Sequence, residues 1–234
     1  MARRKKTRRE QEETLIDIVE ARESAQSFVE SNKNLLFGVL AAVILIAGGI
    51  FAYKQFYQLP REAEAGEQIF QAELQFERDS FQSALLNPGG GYLGFLDIID
   101  SYGNTKVGNL ANYYAGICYL NLGKFEAAES FLKDFDPAGR ITPIMKWGAL
   151  GDALSEQGKF ELAADNYRKA ANAGENEFLT PYYLKKLGLL HENQGEYQQA
   201  LKAYQEIKSN FAQSIDGRTI DKFIANAETK LNQG

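Results

Sequence analysis

Three patterns of apolar and polar positions follow one another along the chain. Residues 35–53, LLFGVLAAVILIAGGIFAY, form an unbroken uncharged run bracketed by Lys33 and Lys54. At about 1.5 Å per residue this run reaches roughly 28 Å as a helix, close to the ~30 Å hydrocarbon core of a bilayer. It predicts a transmembrane helix over 35–56 in contact with membrane lipid, with Tyr53, Phe56 and Tyr57 at the interface. Ahead of it, Leu15, Ile18, Val19, Ala25, Phe28 and Val29 recur at helical spacing, interrupted by Arg22. Behind it, helical spacing continues to the C-terminus and strand-like alternation is absent. The expected fold class is therefore all-α. The boundaries are a cytoplasmic segment at 1–34, the span at 35–56, a helical linker and degenerate first hairpin at 57–101, repeats at 102–215 and a capping helix at 216–234.

Charge sets the orientation. The chain opens MARRKKTRR, and eight Lys/Arg precede the span against only Lys54 and Arg61 in residues 54–77. Positive residues stay in the cytoplasm, so residues 57–234 are expected on the far side, the periplasm of a bacterium. A cleaved signal peptide fits poorly, because the apolar run is long and begins only at residue 35. Cys118 lies far downstream, which excludes a lipoprotein. The segment 1–34 reads either as a plain flank or as a docking helix for a partner or the lipid surface. Its basic run can also contact RNA, the ribosome included. Pairs of small residues at Gly38/Ala42 and Gly48/Ala52 would let another membrane helix approach closely.

Three stretches behind the span align with one another: NYYAGICYLNLGKFEAAESFL from Asn112, WGALGDALSEQGKFELAADNY from Trp147 and LKKLGLLHENQGEYQQALKAY from Leu184. Each holds Gly-x-aromatic, at Gly123/Phe125, Gly158/Phe160 and Gly195/Tyr197, with aromatics 35 and 37 residues apart. The second stretch also supplies Trp147, Leu150, Gly151, Leu154, Ala163 and Tyr167, which resembles the tetratricopeptide pattern of paired helices. Gly116, Gly151 and Gly188, with Ala128, Ala163 and Ala200, are expected where the paired helices approach most closely. Residues 61–86 predict one helix, Asn87-Pro88-Gly89-Gly90-Gly91 breaks it, and 92–101 resume. Residues 216–232 predict the terminal capping helix.

Composition narrows the chemistry. One His and one Cys exclude multi-His and Cys-rich metal centres, and a net charge of −5 argues against DNA binding by the bulk of the chain. No nucleophile–base constellation can be assembled, so neither an enzyme nor a cofactor is expected. His191 and Cys118 read as packed helix residues. Gly123-Lys124 and Gly158-Lys159 are repeat turns rather than phosphate loops, since Phe follows where Ser or Thr is required. Acidic pairs such as Glu126/Glu129 are assigned to solvent faces.

By repeat register, the first helices should present Leu110, Tyr113, Ile117, Met145, Tyr182 and Leu189, with Asp152, Lys185 and Asn193, to a protein-binding groove. The mix is mainly apolar and aromatic, unlike grooves built to hold a C-terminal carboxylate. A basic tail, one span and a translocated tetratricopeptide domain together resemble YfgM-like proteins, ancillary subunits of the bacterial Sec translocon. The resemblance implies association with SecYEG and with a PpiD-like periplasmic chaperone, and chaperone-like handling of translocating polypeptides at the inner membrane. It assigns no partner-binding residue. A structural scaffold in another envelope secretion or outer-membrane assembly complex is the competing reading. An outer-mitochondrial receptor would require reversed topology.

Overall fold

The computed structural model describes the backbone of residues 8–233 and the side chains of Arg22 and of residues 24–233. The basic run at 1–7 and the side chains of Leu15, Ile18 and Val19 lie outside the described residues. The chain divides into two compact units, Met1–Leu59 and Pro60–Gly234.

The first unit is one long helix, α1 (Arg8–Tyr53), followed by a π-helical turn at Lys54–Gln58. Side chains from Lys33 to Tyr57 are all exposed. A helix satisfies its own backbone hydrogen bonds, so only its apolar surface needs covering. The uncharged run is long and apolar enough to cross a membrane. Leu59 donates its N–H to the Lys54 carbonyl across the π turn. Pro60, which has no N–H to give Phe56, accounts for the change of register there.

The second unit is all-helical among the described residues. It begins with α2 (Leu59–Glu77), α3 (Phe81–Leu86) and α4 (Phe95–Tyr102). The single helix expected over 61–86 is interrupted at residues 78–80. Asp79 takes a left-handed conformation (φ 57°), and Ser80 donates to the Gln75 carbonyl at 2.9 Å. Phe76 and Phe81 then meet edge to face across the break, with ring centroids 5.8 Å apart. The Gly-rich loop follows α3 as expected and is tied to α2 through Gln75 Nε2, which donates to the Pro88 carbonyl at 3.1 Å.

Three helical hairpins come next: α5 (Lys106–Asn121) with α6 (Phe125–Asp134), α7 (Thr142–Glu156) with α8 (Phe160–Asn172), and α9 (Leu179–Asn193) with α10 (Tyr197–Asn210). Each hairpin is closed by the same device. A methyl group built on Gly116 would meet Leu132 Cγ at 2.5 Å, on Gly151 the Tyr167 ring at 2.6 Å, and on Gly188 the Tyr204 ring at 2.2 Å. The large side chain always lies sixteen positions after the glycine. Ala128, Ala163 and Ala200 are fully buried beside it. At the turn of the middle hairpin, Gly158 is left-handed (φ 73°) and Lys159 donates to the Leu154 carbonyl at 2.9 Å, closing a Schellman cap. The same bonds recur from Lys124 to Tyr119 at 2.9 Å and from Glu196 to His191 at 2.8 Å.

A short 3-10 turn (Gly217–Thr219) and α11 (Asp221–Gln233) close the array. Ile220, Ile224 and Ala227 of this end pack with Leu184, Tyr204 and Ile207. One hydrophobic cluster joins α2–α5, and others join successive hairpins. Glu129 departs from its expected solvent face. Its side chain is 14% exposed and pairs with Lys133 at 2.6 Å and, across the hairpin boundary, with Lys159 at 3.0 Å. The second hairpin approaches α6 closely enough to cover it, which intrahelical spacing does not reveal.

Candidate protein-binding face

The first helices of the hairpins lie side by side, α5 against α7 and α7 against α9. Their N-termini are held by short polar devices. Thr105 accepts the Gly108 N–H at 2.9 Å and donates to the Tyr102 carbonyl at 2.7 Å. Thr142 and Thr180 bind back to Ala138, Gly174 and Asn176 in the preceding loops. Asn109 exchanges two 2.8 Å hydrogen bonds with the Asp136 backbone, which fixes the end of α6 beside α5. Lys146 is buried and donates to the carbonyls of Lys133 (3.0 Å) and Phe135, sealing the C-terminus of α6. Burial pushes its pKa down.

Three of the nine residues expected on the face come together in one cleft. Leu110, Tyr113 and Met145 line a cavity of about 220 Å³ with Phe76, Tyr114, Phe135 and Thr142. Its walls are aromatic. Phe76 stands edge-on to Tyr114 at 5.0 Å, Tyr114 stacks on Phe95 at 5.0 Å, and Tyr113 leans on Phe135 at 5.4 Å. Burial raises the hydroxyl pKa of both Tyr113 and Tyr114 to about 12, so both are neutral donors. Ile117 does not join them; it is partly buried and packs against the cluster between the first two hairpins that holds Leu132 and Leu150.

Asp152 sits at the centre of a polar aromatic cluster. Its Oδ1 accepts from the Tyr167 hydroxyl and from Lys186 Nζ, each at 2.7 Å. Lys186 Nζ also lies 5.0 Å from the Tyr182 ring centroid. The Tyr183 ring fills the space above Gly148, where an added methyl would come within 1.9 Å of it. Tyr182 is 43% exposed and meets Tyr183 edge to face at 5.0 Å. Burial first, and then the Asp152 charge, push the Tyr167 hydroxyl pKa well above its usual value; Tyr183 shifts the same way for the same reasons.

The remaining expected residues lie elsewhere on α9. Lys185 reaches toward the capping end, pairing with Asp216 at 2.8 Å and lying 5.0 Å from the Phe223 ring centroid. Leu189 and Asn193 are exposed farther along the helix and line no cavity with Tyr113. Residues missed by register reasoning are Tyr114, Phe135, Tyr183, Lys186 and Phe76. Phe76 stands outside the repeats, where no register applied. Lys186 adjoins a chosen residue, and helical geometry turns it about 100° from Lys185, toward α7. Among the described residues, no three His, Cys, Asp or Glu side chains converge as metal ligands do.

A tetratricopeptide-repeat family model matches residues 149–215, which hold most of α7 and all of α8, α9 and α10. A search of curated proteins finds no match. The α5–α6 hairpin repeats the same glycine-against-large-residue closure outside the matched segment. The chain therefore carries tetratricopeptide repeats, an all-helical scaffold whose general role is protein–protein interaction.

Proposed function

We propose that this chain is a single-pass inner-membrane protein of the YfgM-like kind. Its basic N-terminus lies in the cytoplasm and its repeat unit in the periplasm. There it serves beside the SecYEG translocon, with a PpiD-like chaperone, and holds newly translocated polypeptides. The observation that carries the reading is the character of the first-helix face. The cleft is apolar and aromatic, and both lysines of α9 are already engaged, Lys185 with Asp216 and Lys186 with Asp152. Such a surface suits side chains of an extended chain better than a terminal carboxylate, which needs free cations. The exposed apolar run of α1 supports membrane attachment, and the excess of Lys/Arg before it supports the orientation.

The deciding experiment is a mild-detergent pull-down from native membranes with mass spectrometry of what co-purifies. SecY together with a periplasmic chaperone is the expected result. Recovery of secretion or outer-membrane assembly subunits alone, in a fixed ratio and without translocon components, would replace this reading with a scaffold role.

A further inference from the structure

The cleft bounded by α2, α5, the end of α6 and α7 has a shape and a charge that narrow what it can hold. Its volume of about 220 Å³ exceeds the ~150 Å³ at which an apolar protein cavity already admits a benzene ring. Its lining of Phe76, Leu110, Tyr114, Phe135 and Met145 offers ring edges, ring faces and a thioether, the partners an aromatic side chain prefers. Thr142 turns its hydroxyl to Ala138 and so contributes only its methyl side. Two acidic residues of α2 stand beside Tyr114, which lines the cleft. Glu73 and Glu77 stand one turn apart, flank Phe76 in sequence, and both act on the Tyr114 hydroxyl. Among the described residues, neither forms an ion pair with a cation. An apolar socket beside two uncompensated carboxylates selects a segment that brings an aromatic ring and a positive charge together.

We infer that this cleft receives an aromatic side chain of an extended polypeptide, with a Lys or Arg of the same segment held by Glu73 and Glu77. The inference rests on the protein-binding reading and names the chemistry of the partner. Half of the socket's selectivity then comes from α2, a helix outside the tetratricopeptide repeats.

The test uses the full chain in nanodiscs and fluorescence anisotropy with short labelled Gly/Ser-rich peptides. One peptide carries Phe flanked by lysines, a second has Ala for Phe, and a third has glutamates for the lysines. The first should bind, and each change should weaken binding about ten- to a hundredfold. Met145→Trp, which fills the socket, should weaken the first peptide to a similar degree. Because a core-facing Trp can disturb folding, the double variant E73K/E77K provides an independent check, since both side chains lie outside the core. It should reverse the charge preference and favour the glutamate peptide. Equal binding of the Phe and Ala peptides, or a charge preference unmoved by E73K/E77K, overturns the inference. A dimer in sedimentation that Met145→Trp dissolves places a second copy of the chain in the cleft and overturns it as well. If no peptide binds while the chain still captures its partners from membranes, the cleft assignment fails and the protein-binding function stands. If both fail, both are wrong.

Discussion

The Tyr204 ring lies directly over Gly188, so close that a single methyl group there would sit 2.2 Å from Cε1. The ring is fully buried, and its hydroxyl donates to Glu192 at 3.0 Å. It cannot swing away without surrendering that bond. Gly188→Ala should therefore destabilise the last hairpin by about 1–3 kcal/mol, the usual cost of overpacking. Gly195→Ala, in the turn seven residues later, meets no neighbouring atom and should cost only the left-handed backbone penalty of about 1–2 kcal/mol. Urea unfolding of the two variants followed by tyrosine fluorescence separates the cases. A smaller loss at Gly188 than at Gly195 would mean that the hairpin can relax around the ring.

Glu192 is the polar anchor of the C-terminal end. It is buried and accepts from Tyr204, from Asn226 and, at 3.0 Å, from Lys230. Truncation after Asp216 removes two of these partners and uncovers Leu184 and Ile207. In a stacked array each unit leans on its neighbours. Amide protection should therefore be lost first in α9 and α10 and retained in α5 and α6. Hydrogen exchange resolved by peptide reads this directly; uniform loss along the array would show that it unfolds as one cooperative block.

Glu129 gives the boundary between the first two hairpins an acid-sensitive contact. Its hydrogen bond from Lys133, with those from Lys159 and Gln157, holds its carboxyl down at about 2. A carboxylate with a depressed folded pKa contributes stability above its unfolded value of about 4.3. That contribution fades as pH falls toward the folded value. The window is therefore about pH 4.5 to 2. Both lysines are largely exposed, so screening reduces the contribution to about 1–2 kcal/mol. Wild-type protein should lose more stability across this window than Glu129→Gln, measured by thermal melts at stepped pH. Parallel curves would remove Glu129 from the account.

The tyrosines set the alkaline limit. Tyr113 and Tyr114 are raised to about 12, and Tyr167, Tyr183 and Tyr204 are raised too, in every case chiefly by burial. A phenol with a raised folded pKa stabilises the fold below its ordinary value near 10, and loses that effect as pH rises toward the folded value. Absorbance at 295 nm should show these five ionising only together with loss of helical circular dichroism. Complete ionisation in a still-helical protein would contradict their burial.

Much of the repeat unit was legible in the sequence. Gly116, Gly151 and Gly188 form the close helix contacts their register implies, and Gly-x-aromatic marks the three turns. These features are local, set by spacing within one hairpin. What was not legible is tertiary. The break at Asp79 carries no Gly or Pro to announce it. The sequence assigns Glu129 to a solvent face and Lys185 to the groove, yet Lys159 of the next hairpin pairs with the first and Asp216, ahead of the capping helix, with the second. On the candidate face, Leu110, Tyr113 and Met145 converge, whereas Ile117, partly buried, packs against the cluster between the first two hairpins. Phe76 enters from a helix outside the repeats, beyond the reach of any repeat alignment.

Cys118 is fully buried in α5, and burial alone lifts its thiol pKa to about 12. Few thiolates form at neutral pH, and reagent has no path to them while the hairpin is closed. The native chain thus behaves as its own cysteine-free background for mapping the span with membrane-impermeant maleimides at introduced positions. The same silence makes Cys118 a clock: the rate at which it is alkylated measures how often the first hairpin opens, in a membrane or a cell, without adding a label to the protein.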